Sequence, residues 1–247
     1  MFVTKFSSSG SKIYDQTFAA TDTEALAQGI AIAPNGDVVL AGYFNATMQV
    51  GSKALRSAAG LASNGFFAVL DPSTGTPRNS FSFGGTTIDV ASSVAVTSAG
   101  NLRIVGSLTA TSTVGGITVR ADPNTSAFIA EVTPSGVASW VNLVGSGTPG
   151  AIFQTAINAA DLSFATGHLN ETSATDAIVA DVNSADQLSF PVRVANADGN
   201  GATDCAADHL GGVWITGEFQ GTTDLGTGTL TAADPTLPSN FVLHLQP

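Results

Sequence analysis

The chain repeats itself, and that constrains its fold more than any single residue does. Five short apolar segments share one pattern: FVTKF (2–6), FFAVL (66–70), FIAEV (128–132), IVADV (178–182) and FVLHL (241–245). The first four run into turn-forming residues, SSSG, DPSTG, TPSG and NSAD. A second series fixes the register. Gly42 in VVLAGYF recurs as Gly106 in RIVGSL, Gly167 in FATGHL and Gly217 in WITGEF. Thirteen residues before each glycine a further run begins (GIAIAP, SVAVTS, QTAINA, DCAADH), and its third residue is always alanine: Ala31, Ala95, Ala156 and Ala206. Alternation of apolar residues with a small residue at one fixed site describes a strand with a crowded face.

Each unit therefore reads as four strands. Strand a (IAIA) turns through a short link such as PNGD or SAGN into strand b, where Gly and Asn supply the positive φ of a tight hairpin. A longer excursion leads to strand c, the FFAVL-type segment, and strand d follows with an aromatic: Tyr14, Phe81, Trp140 and Phe190. The third unit is eroded. Its b–c excursion shrinks to NETSATDA, and QTAINAADLSFATG lacks the glycine turn. The whole chain, 1–247, is expected to form one domain: strands c and d in 1–20, then repeats at 29–85, 93–145, 154–195 and 204–247. Tandem four-stranded units that cannot bury both faces alone stack side by side. The expected fold is all-β, a β-propeller of four-stranded antiparallel blades, with strand a lining the central channel. Strand c occurs five times and the others four, which leaves two forms of ring. In one, KIYDQTF completes the last blade and four blades close. In the other, the chain is part of a larger ring.

The stretches FVTKFSSSGSKIYDQTF and GIAIAPNGDVVLAGYF, and above all GGVWITGEFQGTTDLGTGTLTAADP with FVLHL, resemble the bacterial β-propeller repeats named for seven-bladed propellers. The resemblance spans essentially the whole chain. It implies a propeller fold in an exported bacterial protein, at the cell envelope or outside it, and it implies no particular activity.

Charge narrows the partners. Eight Lys+Arg against 19 Asp+Glu give a net charge of −11, which opposes nucleic acids and anionic lipid surfaces. No apolar run approaches the ~20 residues of a membrane span, so no membrane insertion is expected. The opening MFVTKFSSSG lacks the apolar core of a signal peptide, so any export signal is expected outside this sequence.

The clearest candidate for chemistry is NADGNGATD (196–204). Asn196, Asp198 and Asn200 match the opening of an oxygen-ligand calcium loop, and Asp204 stands at its ninth position. The twelfth position, which needs an acid, is Ala207. The competing reading is a d–a connection built from turn formers. Cys205, the only cysteine, aligns with Ile30, Val94 and Thr155 and reads as a buried, inert thiol. His168, His209 and His244 occupy three different repeat positions. His244 aligns with Lys5, Val69, Glu131 and Asp181, a variable site that reads as solvent-facing. Trp140 and Trp214 fit packing between units better than sugar stacking, because their counterparts include Tyr14, Val39 and Phe164. With no convergent catalytic set, the expected function is a non-enzymatic binding or scaffold module whose loops meet a protein or glycan. The alternatives are a polysaccharide lyase or hydrolase with a site at the channel mouth, and a structural repeat that self-associates through open blade edges.

Overall fold

The structure is a computed structural model. It describes the chain except residues 22–23, 59–61, 122–124, 146–148, 172–173, 183–187, 195–199, 209, 227 and 247. The described residues form antiparallel strands and no helix.

The chain opens with a hairpin, β1 (Phe2–Phe6) and β2 (Lys12–Thr17), which pair only with each other. A two-residue strand β3 (Ala20–Thr21) leads into the first sheet: β4 (Ala25–Ile32), β5 (Val38–Asn45), β8 (Ser63–Leu70) and β9 (Pro77–Phe83). Between β5 and β8 stands a side hairpin, β6 (Thr47–Val50) and β7 (Lys53–Arg56), with β3 on its edge. The second sheet repeats the order with β10 (Val90–Val96), β11 (Leu102–Leu108), β14 (Ser126–Val132) and β15 (Ala138–Val144). Its side hairpin is β12 (Thr111–Val114) and β13 (Ile117–Arg120). The third sheet is β16 (Gly150–Ile157), β17 (Ser163–Glu171), β18 (Ala174–Val182) and β19 (Leu188–Val194), and among the described residues it has no side hairpin, in keeping with its shortened excursion. The last sheet has three strands, β20 (Asn200–Ala207), β21 (Val213–Phe219) and β24 (Ser239–Leu245), with the side hairpin β22 (Thr222–Asp224) and β23 (Thr229–Thr231).

The expected strand order a-b-c-d is therefore present in three sheets and a-b-c in the fourth. The four-bladed closure through KIYDQTF is not formed. That segment stays on β1, and FVLHL, as β24, holds the c place of the last sheet.

The repeating glycine has a steric cause. Each strand a carries a bulge opposite it, with Gly42 paired to Ala27, Gly106 to Ala91, Gly167 to Ile152 and Gly217 to Ala202. A Cβ on these glycines would lie 1.9–2.2 Å from the carbonyl oxygens of Leu26, Val90, Ala151 and Gly201. Only glycine lets the bulged carbonyl in. The bulge also lengthens strand a towards its N-terminus. It begins at Ala25, Val90, Gly150 and Asn200, earlier than the alternation alone places it.

The sheets stack by one rule. The back of each sheet carries the second and fourth residues of its c strand, and the front carries the first, third and fifth. Val39, Phe67 and Val69 on the back of sheet one share a core with Leu102, Phe128 and Val132 on the front of sheet two. Val105 and Ile129 then meet Ile178, Ala180 and Val182, and Phe164 and Val179 meet Ile215, Phe241 and Leu243. In front of sheet one the hairpin does the same, its Val3 and Tyr14 sharing a core with Phe66, Ala68 and Leu70. Each large side chain so buried contributes about 2–3 kcal/mol. The strand-a alanines serve this stacking. Ala31 packs into the core between sheets one and two, and Ala156 into that between three and four.

The a–b turns share one hydrogen-bonded frame. Ala33 N donates to Asp37 O and Gly36 N to Ala33 O, and the same pair of bonds recurs at Thr97–Asn101. The fourth residue is left-handed: Gly36 (φ 86°), Gly100 (φ 86°) and Gly211 (φ 97°). In the third sheet Asp161 takes that place at φ 59°, which is why the eroded turn still forms.

Candidate functional site

The back of the last sheet is uncovered. Along β21 exposure alternates strictly, with Val213, Ile215, Gly217 and Phe219 buried and Trp214, Thr216 and Glu218 exposed. On β24 Val242 is 67% exposed, and Trp214 is 47% exposed. Their counterparts in the inner sheets are buried: Val39 and Phe164 for Trp214, and Phe67, Ile129 and Val179 for Val242. The counterpart Arg103 is also buried, paired with Glu131 at 3.3 Å and lying 4.6 Å from the ring centre of Trp140.

A polar group sits at the a–b turn end of this face. His244 lies flat on Trp214, with ring centres 4.1 Å apart and planes at 4°. Its Nε2 is 2.7 Å from Asp208 Oδ2. Asp208 Oδ1 accepts from Leu210 N at 2.8 Å and from Gly212 N at 2.9 Å, closing the turn. The bond from His244, followed by those amides, holds the Asp208 carboxyl below the ordinary carboxylate range. All three side chains come from one sheet, and each has a structural task. Asp208 shapes a turn, His244 bridges it to β24, and Trp214 supports the ring.

The other candidates are dispersed. Asn196 and Asp198 lie outside the described residues. Asn200 begins β20 and Asp204 follows four positions later in the same strand, where its Oδ1 accepts from Cys205 N at 2.8 Å. Among the described residues no three His, Cys, Asp or Glu side chains form a metal-sized group. Cys205 is buried, and burial pushes its thiol up to about 12. His168 packs on Phe153 at 5.0 Å between ring centres, and burial lowers its pKa. His209 lies outside the described residues. The position of His244, read as solvent-facing from its variability, is partly exposed in Lys5, Glu131, Asp181 and His244 and buried in Val69. Val69 is buried between sheets there, Lys5 donates to Pro72 O at 2.6 Å, and Glu131 pairs with Arg103.

Sequence reading missed two sets of links. Ser98 donates through N and Oγ to the Asp161 carboxylate at 2.7 and 2.6 Å, and Asn158 Nδ2 donates to Gly211 O at 3.0 Å. They chain the a–b turns of sheets two, three and four, beside a cleft lined by Ile32, Pro34, Val96 and Ile157. At the opposite end Asp89, fully buried, accepts from Gly85 N (2.7 Å), Thr109 N (3.0 Å) and Ser112 Oγ (2.7 Å). The sequence signal for Asp89 was an acid among small polar residues just before a strand.

The fold and this face define an all-β stack of three four-stranded antiparallel sheets and one of three strands, whose back is uncovered. No family model and no curated protein matches the chain. Among the described residues no helix is long and apolar enough to cross a membrane.

Proposed function

We propose that the chain is the body of a β-propeller, exported by a bacterium, which serves as a non-enzymatic binding or surface-scaffold module. One observation carries the reading: the innermost strands β4, β10, β16 and β20 pack each on the next, while the outermost strands have no comparable mutual packing among the described residues. A stack tight at one edge and open at the other fans about an axis, as blades do. The ends of such a fan present loops, and the side hairpins β6–β7, β12–β13 and β22–β23 emerge together at the b–c end. Ligands of the expected kind, a glycan or an envelope protein, are recognised there.

Small-angle scattering and a binding screen test the reading together. The expected result is a flat, fan-shaped particle that retains a glycan or an envelope protein and leaves polysaccharides intact. An elongated rod, or release of new sugar ends from a polysaccharide panel, overturns it.

A further inference from the structure

One position of the repeat is filled differently in the first sheet. On the back of every sheet, the second residue of strand b stands opposite the fourth residue of FFAVL-type strand c. The pairs are Arg103 with Glu131 in sheet two, Phe164 with Asp181 in sheet three and Trp214 with His244 in sheet four. Each brings a long or aromatic side chain. Sheet one pairs Val39 with Val69. Two short side chains leave room, and a cavity of about 230 Å³ lies there, between sheets one and two at their a–b turns. Val39, Val69 and Leu102 line it, together with Pro34 and Pro134.

Asp37 brings a charge to this apolar wall. It lines the cavity, is 6% exposed, and accepts from Asn35 Nδ2 at 2.9 Å through Oδ2. Its Oδ1 pairs with Arg78 Nη1 at 2.9 Å, while Nη2 of the same guanidinium holds Asp71 at 2.6 Å. One positive charge thus serves two carboxylates, which leaves one negative charge over. Arg78 is half-exposed and does not line the cavity; nor does Lys5, whose ammonium donates to Pro72 O. A carboxylate withdrawn from water favours a further cation more than an exposed one does. The volume falls below the ~300–1,000 Å³ of whole-metabolite sites and suits a group the size of one side chain. The next junction indicates which group. There the same place of the repeat holds Arg103, 3% exposed, with Nη1 3.3 Å from Glu131 Oε2. An aliphatic stem ending in a guanidinium therefore fits this place. In the first junction the acid comes from the turn in place of strand c.

We propose that this cavity is a binding site for an alkylguanidinium, its head on Asp37 and its stem along Val39, Val69 and Leu102. The group is carried by a free small cation or by an arginine side chain of a partner. The site lies at the a–b turns, at the opposite end from the side hairpins, and does not depend on the binding reading above.

Titration of n-butylguanidinium into the whole chain, followed by methyl NMR, tests the site. The expected result is a saturable shift of the Val39, Val69 and Leu102 methyls, with none from the neutral isostere n-butylurea at the same concentrations. Asp37→Asn keeps the shape and removes the charge, and is expected to weaken binding about ten- to hundredfold. Val69→Phe fills the cavity and is expected to abolish binding. If either variant fails to fold, the other variant and the comparison with butylurea carry the test. A capped Ala-Arg-Ala peptide separates the sources: displacement of butylguanidinium assigns the arginine of a partner, and no displacement assigns a free small cation. Glycan and polysaccharide screens are indifferent to these outcomes, so the two readings fail separately. The proposal is overturned by butylurea binding as well as butylguanidinium, by Asp37→Asn binding like the wild type, or by shifts confined to other methyls. No binding of butylguanidinium at millimolar concentration overturns it as well.

Discussion

At the scale of single residues, the repeat is held by atoms that leave no room for substitution. Gly217 admits the Gly201 carbonyl, and a methyl group there would sit 2.2 Å from it. Gly217→Ala is expected to cost about 1–3 kcal/mol in urea unfolding, the range for overpacking with backbone displacement. Cys205 makes the opposite case, a reactive residue type made inert. With its thiol pushed up to about 12 and its side chain buried, it should resist a disulfide reagent at pH 8 and react at once in denaturant. His168 carries a pH dependence. Burial lowers its pKa below the ordinary 6.5, so the unfolded chain binds the proton more tightly. Its contribution is complete above pH 6.5 and is lost as pH falls through the folded value. Unfolding midpoints of the wild type should fall in that acid window more steeply than those of His168→Gln. The glycines were legible in the sequence as a spacing. The carbonyl they admit was not, because a bulge is a feature of the partner strand.

At the scale of elements, the strands most easily read were those whose two faces are both buried. FFAVL, FIAEV and IVADV are nearly continuous apolar runs, and all three became central strands. The side hairpins were harder. TMQV and KALR alternate too briefly to stand out, and their register depends on Gly51 at φ 61°. Strand d kept its aromatic face but not its spacing. Tyr14 and Trp140 oppose Lys5 and Glu131, whereas Phe81 opposes Phe67, two positions along. What joins these elements across a sheet boundary is often a single polar side chain. Asp89 ties the connection after β9 to the turn before β12 through three described bonds of 2.7–3.0 Å. Asp89→Ala would strand the buried Thr109 amide and the half-buried Gly85 amide, and leave Ser112 Oγ only the Thr109 carbonyl at 3.2 Å; it is expected to lower stability by about 2–3 kcal/mol. Chemical denaturation checks the loss, and hydrogen exchange of Gly85 and Thr109 should rise with it.

At the scale of the whole molecule, no core spans the chain. Four separate clusters lie between consecutive layers, so each sheet is stabilised only by its neighbours. In a linear stack of this kind the ends open at lower cost than the middle, because an end unit has one interface to break and an inner unit has two. The last sheet is the weaker end, with three strands and an uncovered back, while the front of the first sheet is partly shielded by the hairpin. Amide exchange in dilute protein should therefore be slowest in β11 and β14, faster in β4, and fastest among the sheets in β20, β21 and β24.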